Sequence, residues 1–340
     1  MLRSILFKAI SDCSSMSYSH FFYTSTNRGG CIQMITEEEL KEKLINNDDL
    51  FNKISVFQAD FDIVPKNNNH MGAYISIRDT KELRDQFLDS LYDTIVDYVY
   101  SQEKYNSLIQ REMTKNKKTL ANAGSYVQRK ASHKFRGKFD DDKLLIQGQL
   151  GELLLFHFIQ RFKGAVPLLR KMPITTSESL ERNGCDAIHY KMEHGKNIFY
   201  LGEAKTYSSK YQFNEAFKTA LESIITTCNN IDDELSLYVS EDFMDDSLNE
   251  VADDFIEGRL KNAEIHPVNV IIYNETKKKN AVTEESIKKE IEDVIKNRYK
   301  GFDDSLIDVK NPLIQRITYI VFPIWELDEL ADKFQKMIVD

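Results

Sequence analysis

The sequence predicts a mixed α/β fold, because two apolar periodicities interleave along it. Alternating segments (54–64, 73–77, 185–192, 198–205, 268–273) are separated by segments with apolar residues three and four apart (144–162, 213–228, 284–297). The length, 340 residues with 41% hydrophobic and 29% charged, allows one elaborated domain or two modest ones.

Residues 1–33 are poor in acids, rich in Ser, and hold Cys13 and Cys31. They read as a weakly structured extension, with Met34 as a candidate start. Thr36 and Glu39 then form a capping box ahead of a helix. Strands are expected at 54–64 and 73–77, divided by an Asn-rich loop. Asp79 and Glu82 are expected to cap one long helix whose Leu83, Phe87, Leu91, Ile95 and Val99 share a face. Residues 111–138 carry nine Lys and Arg residues against the single acid Glu112. This stretch reads either as a solvated helix face or as a surface that guides a polyanion, with Lys130, Lys134 and Arg136 as its candidate nucleic-acid contacts. After the helix 144–162 come two strands, a helix, an acidic stretch 229–258, a strand, a helix and a final strand–helix pair. The expected organisation is an extension (1–33), an N-terminal α/β region (34–139) and a domain (140–340) with an acidic insert near 229–258.

Composition removes several function classes. No run of eighteen apolar residues exists, so no transmembrane helix is expected. The four cysteines lack CxxC spacing and partner histidines, which argues against structural zinc or a disulfide framework and for a reducing, cytoplasmic setting. A net charge of −9 excludes a purely electrostatic nucleic-acid binder; a local basic patch or a partner would have to bring DNA in.

The informative stretch is Asn183-Gly184-Cys185-Asp186, a turn, and Gly202-Glu203-Ala204-Lys205. Between the strands, His194-Gly195 suits a two-residue hairpin tip. With that tip, Glu193 faces Lys196 and paired positions sum to 389, so Asp186 falls opposite Glu203. Directly opposed side chains share a face, with Cβ atoms about 4.5–5.5 Å apart. Lys205 shares it by strand period, as do Ile188, Tyr190, Phe199 and Leu201. A one-residue slip would separate the two acids.

Two facing carboxylates repel unless a cation or a shared proton neutralises them. Oxygen-only ligands suit Mg²⁺ or Mn²⁺, and Glu152 on the preceding helix could add a third. A metal so held can polarise a phosphodiester and activate water, while Lys205 could orient that water or neutralise the phosphate. His189 should face away from Asp186, His157 should be a core or rim residue, and Cys185 should be structural.

Helix with Glu152, strand with Asp186, strand with Glu203-Ala204-Lys205, then helix resembles the αβββαβ core of PD-(D/E)xK (restriction-endonuclease-like) nucleases, here with an N-terminal α/β extension. More narrowly, Gly151-Glu152-Leu153-Leu154, Asn183-Gly184-Cys185-Asp186-Ala187-Ile188-His189 and Gly202-Glu203-Ala204-Lys205 resemble the HamA family of Hachiman anti-phage defence systems. That resemblance covers roughly residues 140–340. It implies a metal-dependent DNA nuclease effector with Glu152, Asp186, Glu203 and Lys205 as its site, controlled by a HamB-like superfamily 2 helicase. Two rival functions stay open: a stand-alone restriction-type or junction-resolving nuclease, and a catalytically retired nuclease fold serving as an interaction subunit.

Overall fold

The computed structural model describes residues 35–58, 61, 64–66, 70–136, 143–169, 185–207, 213–239, 246–300, 307–308 and 310–339. The expectations for residues 1–34, including the start at Met34, lie outside them. The compact unit is Thr36–Asp340.

It opens with α1 (Glu37–Glu42), where the Thr36 hydroxyl accepts the Glu39 N–H and the Glu39 carboxylate accepts the Thr36 N–H, as the capping box predicts. Then come α2 (Asp48–Phe51), β1 (Ile54–Gln58), β2 (Met71–Ile75), β3 (Ile77–Arg78), β4 (Lys81–Glu82), α3 (Arg84–Asp93) and α4 (Ile95–Val99). The basic tract forms α5 (Gln102–Thr114) and α6 (Leu120–Arg136). The second half runs α7 (Lys143–Lys163), β5 (Val166–Leu169), β6 (Ala187–Glu193), β7 (Lys196–Tyr207) and α8 (Phe213–Asn229). It continues with α9 (Ile231–Val239), α10 (Asp246–Ile256), β8 (Ala263–Glu275), α11 (Glu284–Lys300), β9 (Thr318–Trp325) and α12 (Leu327–Val339).

Seven of these strands form one sheet in the order β1-β2-β9-β8-β7-β6-β5. The central pairs β2–β9, β9–β8 and β8–β7 are parallel; the flanking pairs are antiparallel. The region before residue 140 supplies β1 and β2 to this sheet, so it is not a separate body. Helices cover both faces, as a sheet with parallel strands requires. On one face, Phe156 of α7 meets His189, and Phe87 of α3 and Phe158 of α7 meet Phe322. On the other, Phe213 and Phe217 of α8 meet Tyr273 and Tyr319, and Phe255 of α10 meets Phe199.

Three expectations need correction. The long helix 83–99 is two helices: the Thr94 N–H and hydroxyl both turn back to the Leu91 carbonyl, which ends α3. Asp79 does not cap a helix but sits with Thr80, both at positive φ, at the tip of the β3–β4 hairpin. Glu82 lies in β4, where Arg84 and Lys279 engage its carboxylate. The acidic stretch is helical and contributes to the core as well as to the surface: α9 and α10 bury Ile231, Leu235, Leu248, Val251 and Ala252. Among the described residues, no helix is long and apolar enough to cross a membrane.

Candidate active site

The β6–β7 hairpin sets the geometry. His194 and Gly195 have φ of 51° and 74°, the double positive φ of a type I′ tip, which glycine accepts without steric cost. Glu193 pairs with Lys196, Met192 with Asn197, and the register runs unbroken to Ala187–Gly202. One step beyond, the Asp186 N–H donates to the Gly202 carbonyl at 3.0 Å. The predicted register is therefore the observed one from the tip to Ala187–Gly202; Asp186 departs from it by one residue, bonding to Gly202 as Ala187 pairs with it, but its charge still reaches Glu203.

Side-chain direction follows. Ser223 of α8 donates to Glu203 Oε1 at 2.8 Å, so Glu203 faces α8. Lys205 Nζ reaches the same oxygen at 2.6 Å. Asp186 Oδ2 accepts the N–H of Ala204, the amide between them, at 2.9 Å. The acid thereby fixes the backbone of the strand that presents the other two groups. His189 faces the α7 side against Phe156, His157 is fully buried beside Asn47, and the buried Cys185 thiol donates to the Ala187 carbonyl.

Glu203 is 3% exposed. Burial, and then the charge of Asp186, raise its carboxyl to about 7, against the pull of Lys205 and Ser223. Burial works against the Lys205 ammonium, but the Glu203 and Asp186 charges outweigh it and hold its pKa above the usual lysine value. The donor set here is oxygen, with two carboxylates close enough to repel, which suits a hard divalent cation.

Glu152 stands apart. It lies on α7, which approaches β7 so closely that a Cβ on Gly151 would come within 2.6 Å of Thr206 Oγ1 and 3.3 Å of Ala204 Cβ. That is the face opposite Glu203. The Glu152 carboxylate accepts from the Tyr98 hydroxyl at 3.2 Å. Among the described residues, no three His, Cys, Asp or Glu side chains are grouped to hold a metal. The structure brings Asp186, Glu203 and Lys205 together and does not bring Glu152 into a ligand group with them.

Comparison with known families decides the kinship: the HamA family model matches residues 40–338. The chain belongs to the HamA family. That family is associated with Hachiman antiviral defence. No curated protein matches the chain.

In this HamA-family chain the basic tract is partly structural. Lys118 and Asn116 satisfy Glu112, which is 1% exposed. Lys130 and Lys134 lie on α6, and Lys134 packs over the Tyr100 ring at 5.2 Å. Desolvation, then the like charges of Lys130 and Lys104, lower the Lys134 pKa. The Arg136 side chain lies outside what the structure describes. Gln149 Nε2 donates to the Phe135 carbonyl, and Tyr98 touches Phe135, so the end of α6 sits by the turn of α7 that carries Glu152. Ser223 and Tyr98 are the site residues that sequence reasoning missed. Ser223 could have been found as a hydroxyl between Ala220 and Ile224 on the buried stripe of α8; nothing local marks Tyr98.

Proposed function

We propose that this chain is the nuclease subunit of a Hachiman-type defence system, hydrolysing DNA phosphodiester bonds with Mg²⁺ or Mn²⁺ under the control of a partner helicase. The observation that carries the reading is the convergence of Asp186, Glu203 and Lys205 at one end of the β6–β7 hairpin, with a buried carboxylate held near its neutral point. Helix α7, the hairpin and α8 are read as a PD-(D/E)xK core, to which the sheet order and the position of the two acids are suited.

Asp186 and Glu203 would hold the cation. Bound there, it would supply Lewis-acid polarisation of the scissile phosphate and an acidified water. Asp186 keeps the strand end fixed through the Ala204 amide. Glu203 is oriented by Ser223. Lys205 rests on Glu203 and is the one cation of the trio, so it is assigned to the phosphate charge or to the attacking water. Glu152 is assigned the third carboxylate on the family resemblance; the Tyr98 hydroxyl holds its Oε2. The net charge of −9 favours delivery of DNA by a partner over capture by the chain alone.

The test is plasmid degradation by the chain alone and with its neighbour-encoded helicase and ATP. The Glu203→Ala, Lys205→Ala double variant should abolish cleavage and keep partner binding. Lys205→Ala alone should slow hydrolysis by an amount typical of missing charge stabilisation, roughly 3–4 kcal/mol. Equal cleavage by wild type and the double variant would remove the catalytic assignment. Full activity without the helicase would leave a stand-alone nuclease.

A further inference from the structure

Glu203 has a neighbour that its present contacts do not use. In the parallel ladder, Glu203 of β7 pairs with Asn269 of β8, which pairs with Tyr319 of β9. Laterally paired residues of parallel strands point to the same face, here the α8 face, with backbones about 4.8 Å apart. Asn269 is fully buried, and neither its amide oxygen nor its amide nitrogen has a hydrogen-bond partner among the described residues. A buried side-chain amide with both atoms unsatisfied is strongly disfavoured, and native folds rarely keep one without a use for it. A leucine at this central strand position would pack without that penalty.

Glu203 is unevenly loaded. Lys205 and Ser223 both donate to Oε1, while Oε2 receives no hydrogen bond among the described residues. The arrangement is adequate only while Lys205 stays. If Lys205 turns to a phosphate, as the proposed function requires, the cation would supply charge on the ligating side of Glu203, but the oxygen that Lys205 leaves is short of donors in a buried setting. Ser223 alone offers a single neutral donor. Asn269 is the residue paired directly with Glu203 on β8, whereas Tyr319 is one strand farther away on β9. The two amide protons of Asn269 are therefore unused donors on the strand next to Glu203.

We infer that Asn269 is a positioning residue that takes hold of Glu203 when Lys205 leaves it. On this reading the unsatisfied amide is a second seat for the Glu203 carboxylate, unused in the resting pair and filled in the working state. The inference rests on the role proposed for Lys205, but its test needs no cleavage.

Thermal unfolding of the full chain is compared for wild type, Asn269→Leu, Lys205→Met and the double variant, in EDTA at about pH 8. With Lys205 present, Asn269→Leu should raise Tm by about 2 °C or more, because it removes an unsatisfied amide. With Lys205→Met it should lower Tm by a similar amount, because it removes the remaining clamp. A purely structural Asn269 gives the same shift in both backgrounds, and that result overturns the inference. In parallel, the Asn269 side-chain amide is followed by NMR in wild type and in Lys205→Met, which needs no substitution at 269. Slower exchange of its protons once Lys205 is gone supports the inference; unchanged shifts and exchange overturn it, even if Asn269→Leu fails to fold. The plasmid assay reports separately on the nuclease reading, so the two can fail independently.

Discussion

At the scale of single residues, the site works by placing a carboxylate where it does not readily ionise. Glu203 lies in the sheet's interior face with Asp186 beside it, and its pKa moves from 4.5 to about 7. The consequence for stability has a definite sign. Between about pH 4.5 and 7 the folded chain holds a proton that the unfolded chain has released, so this group's contribution falls as pH rises through that window. Glu203→Gln abolishes that titration. In metal-free buffer the urea midpoint of Glu203→Gln relative to wild type should therefore be more favourable at about pH 8 than at about pH 5. A difference that stays constant across that range would mean Glu203 titrates as an ordinary carboxylate. Cys228 marks the same field from the other side: burial, with the Glu203 charge added, pushes its thiol up to about 12, which leaves it no nucleophilic role at neutral pH.

At the scale of elements, the site is the meeting of a hairpin with one helix on each face, and the approach of α7 is set by Gly151. Replacing it with Ala drives a Cβ into Thr206 Oγ1 and Ala204 Cβ, forcing α7 off the strand that carries Glu203 and Lys205. The expected loss is about 1–3 kcal/mol in urea unfolding, typical of overpacking. Gly148, one turn earlier, is the control: a Cβ there meets nothing within 4 Å. Gly148→Ala should gain about 0.5–1 kcal/mol from helix propensity alone. Two glycines three residues apart in one helix should thus respond in opposite directions, and a shared sign would show that α7 does not bear on β7 through Gly151. The hairpin was legible in the sequence because a two-residue tip fixes register by counting. The helices 213–228 and 284–297 were legible because their apolar spacing is regular. What the sequence hid depends on contacts across the fold. The break at Thr94 interrupts an apolar pattern that continues through it, since Ile95 and Val99 are as buried as Phe87 and Leu91. β5 carries Pro167 in a four-residue apolar run and shows no alternation, as an edge strand can tolerate. The face on which α7 lies is a packing fact that helical periodicity does not encode.

At the scale of the whole molecule, the proposed function asks how a chain of net charge −9 would meet a polyanion. The acids are spread unevenly: α9 and α10 turn Asp232, Asp233, Asp253 and Asp254 away from their buried stripe. The bases of α5 and α6 lie in the N-terminal half, joined to the start of α7 through the Gln149–Phe135 hydrogen bond. Of these bases, Lys118 is committed to Glu112. Lys134 instead has Lys130 and Lys104 near it: burial, and then these like charges, lower its pKa. Neighbouring cations gain when a phosphate backbone arrives, because each phosphate they neutralise releases a condensed counterion. Replacing Lys130 and Lys134 with Glu should therefore weaken duplex DNA binding at low salt. The slope of log K against log salt should fall by roughly 0.9 for each phosphate no longer neutralised, so by about 2 if both lysines touch the backbone. The fold should persist, because Val127, Ala131 and Phe135 hold α6 in place; the variant does lose the Lys134 contact with the Tyr100 ring, so its Tm is measured alongside. The measurement is a salt titration of fluorescent DNA binding for wild type and the paired variant, each alone and with the helicase. An unchanged slope for the chain alone would reduce these lysines to a solvated helix face. A slope that falls only in the helicase complex would instead put the DNA track across the two proteins, with α6 as this chain's share of it.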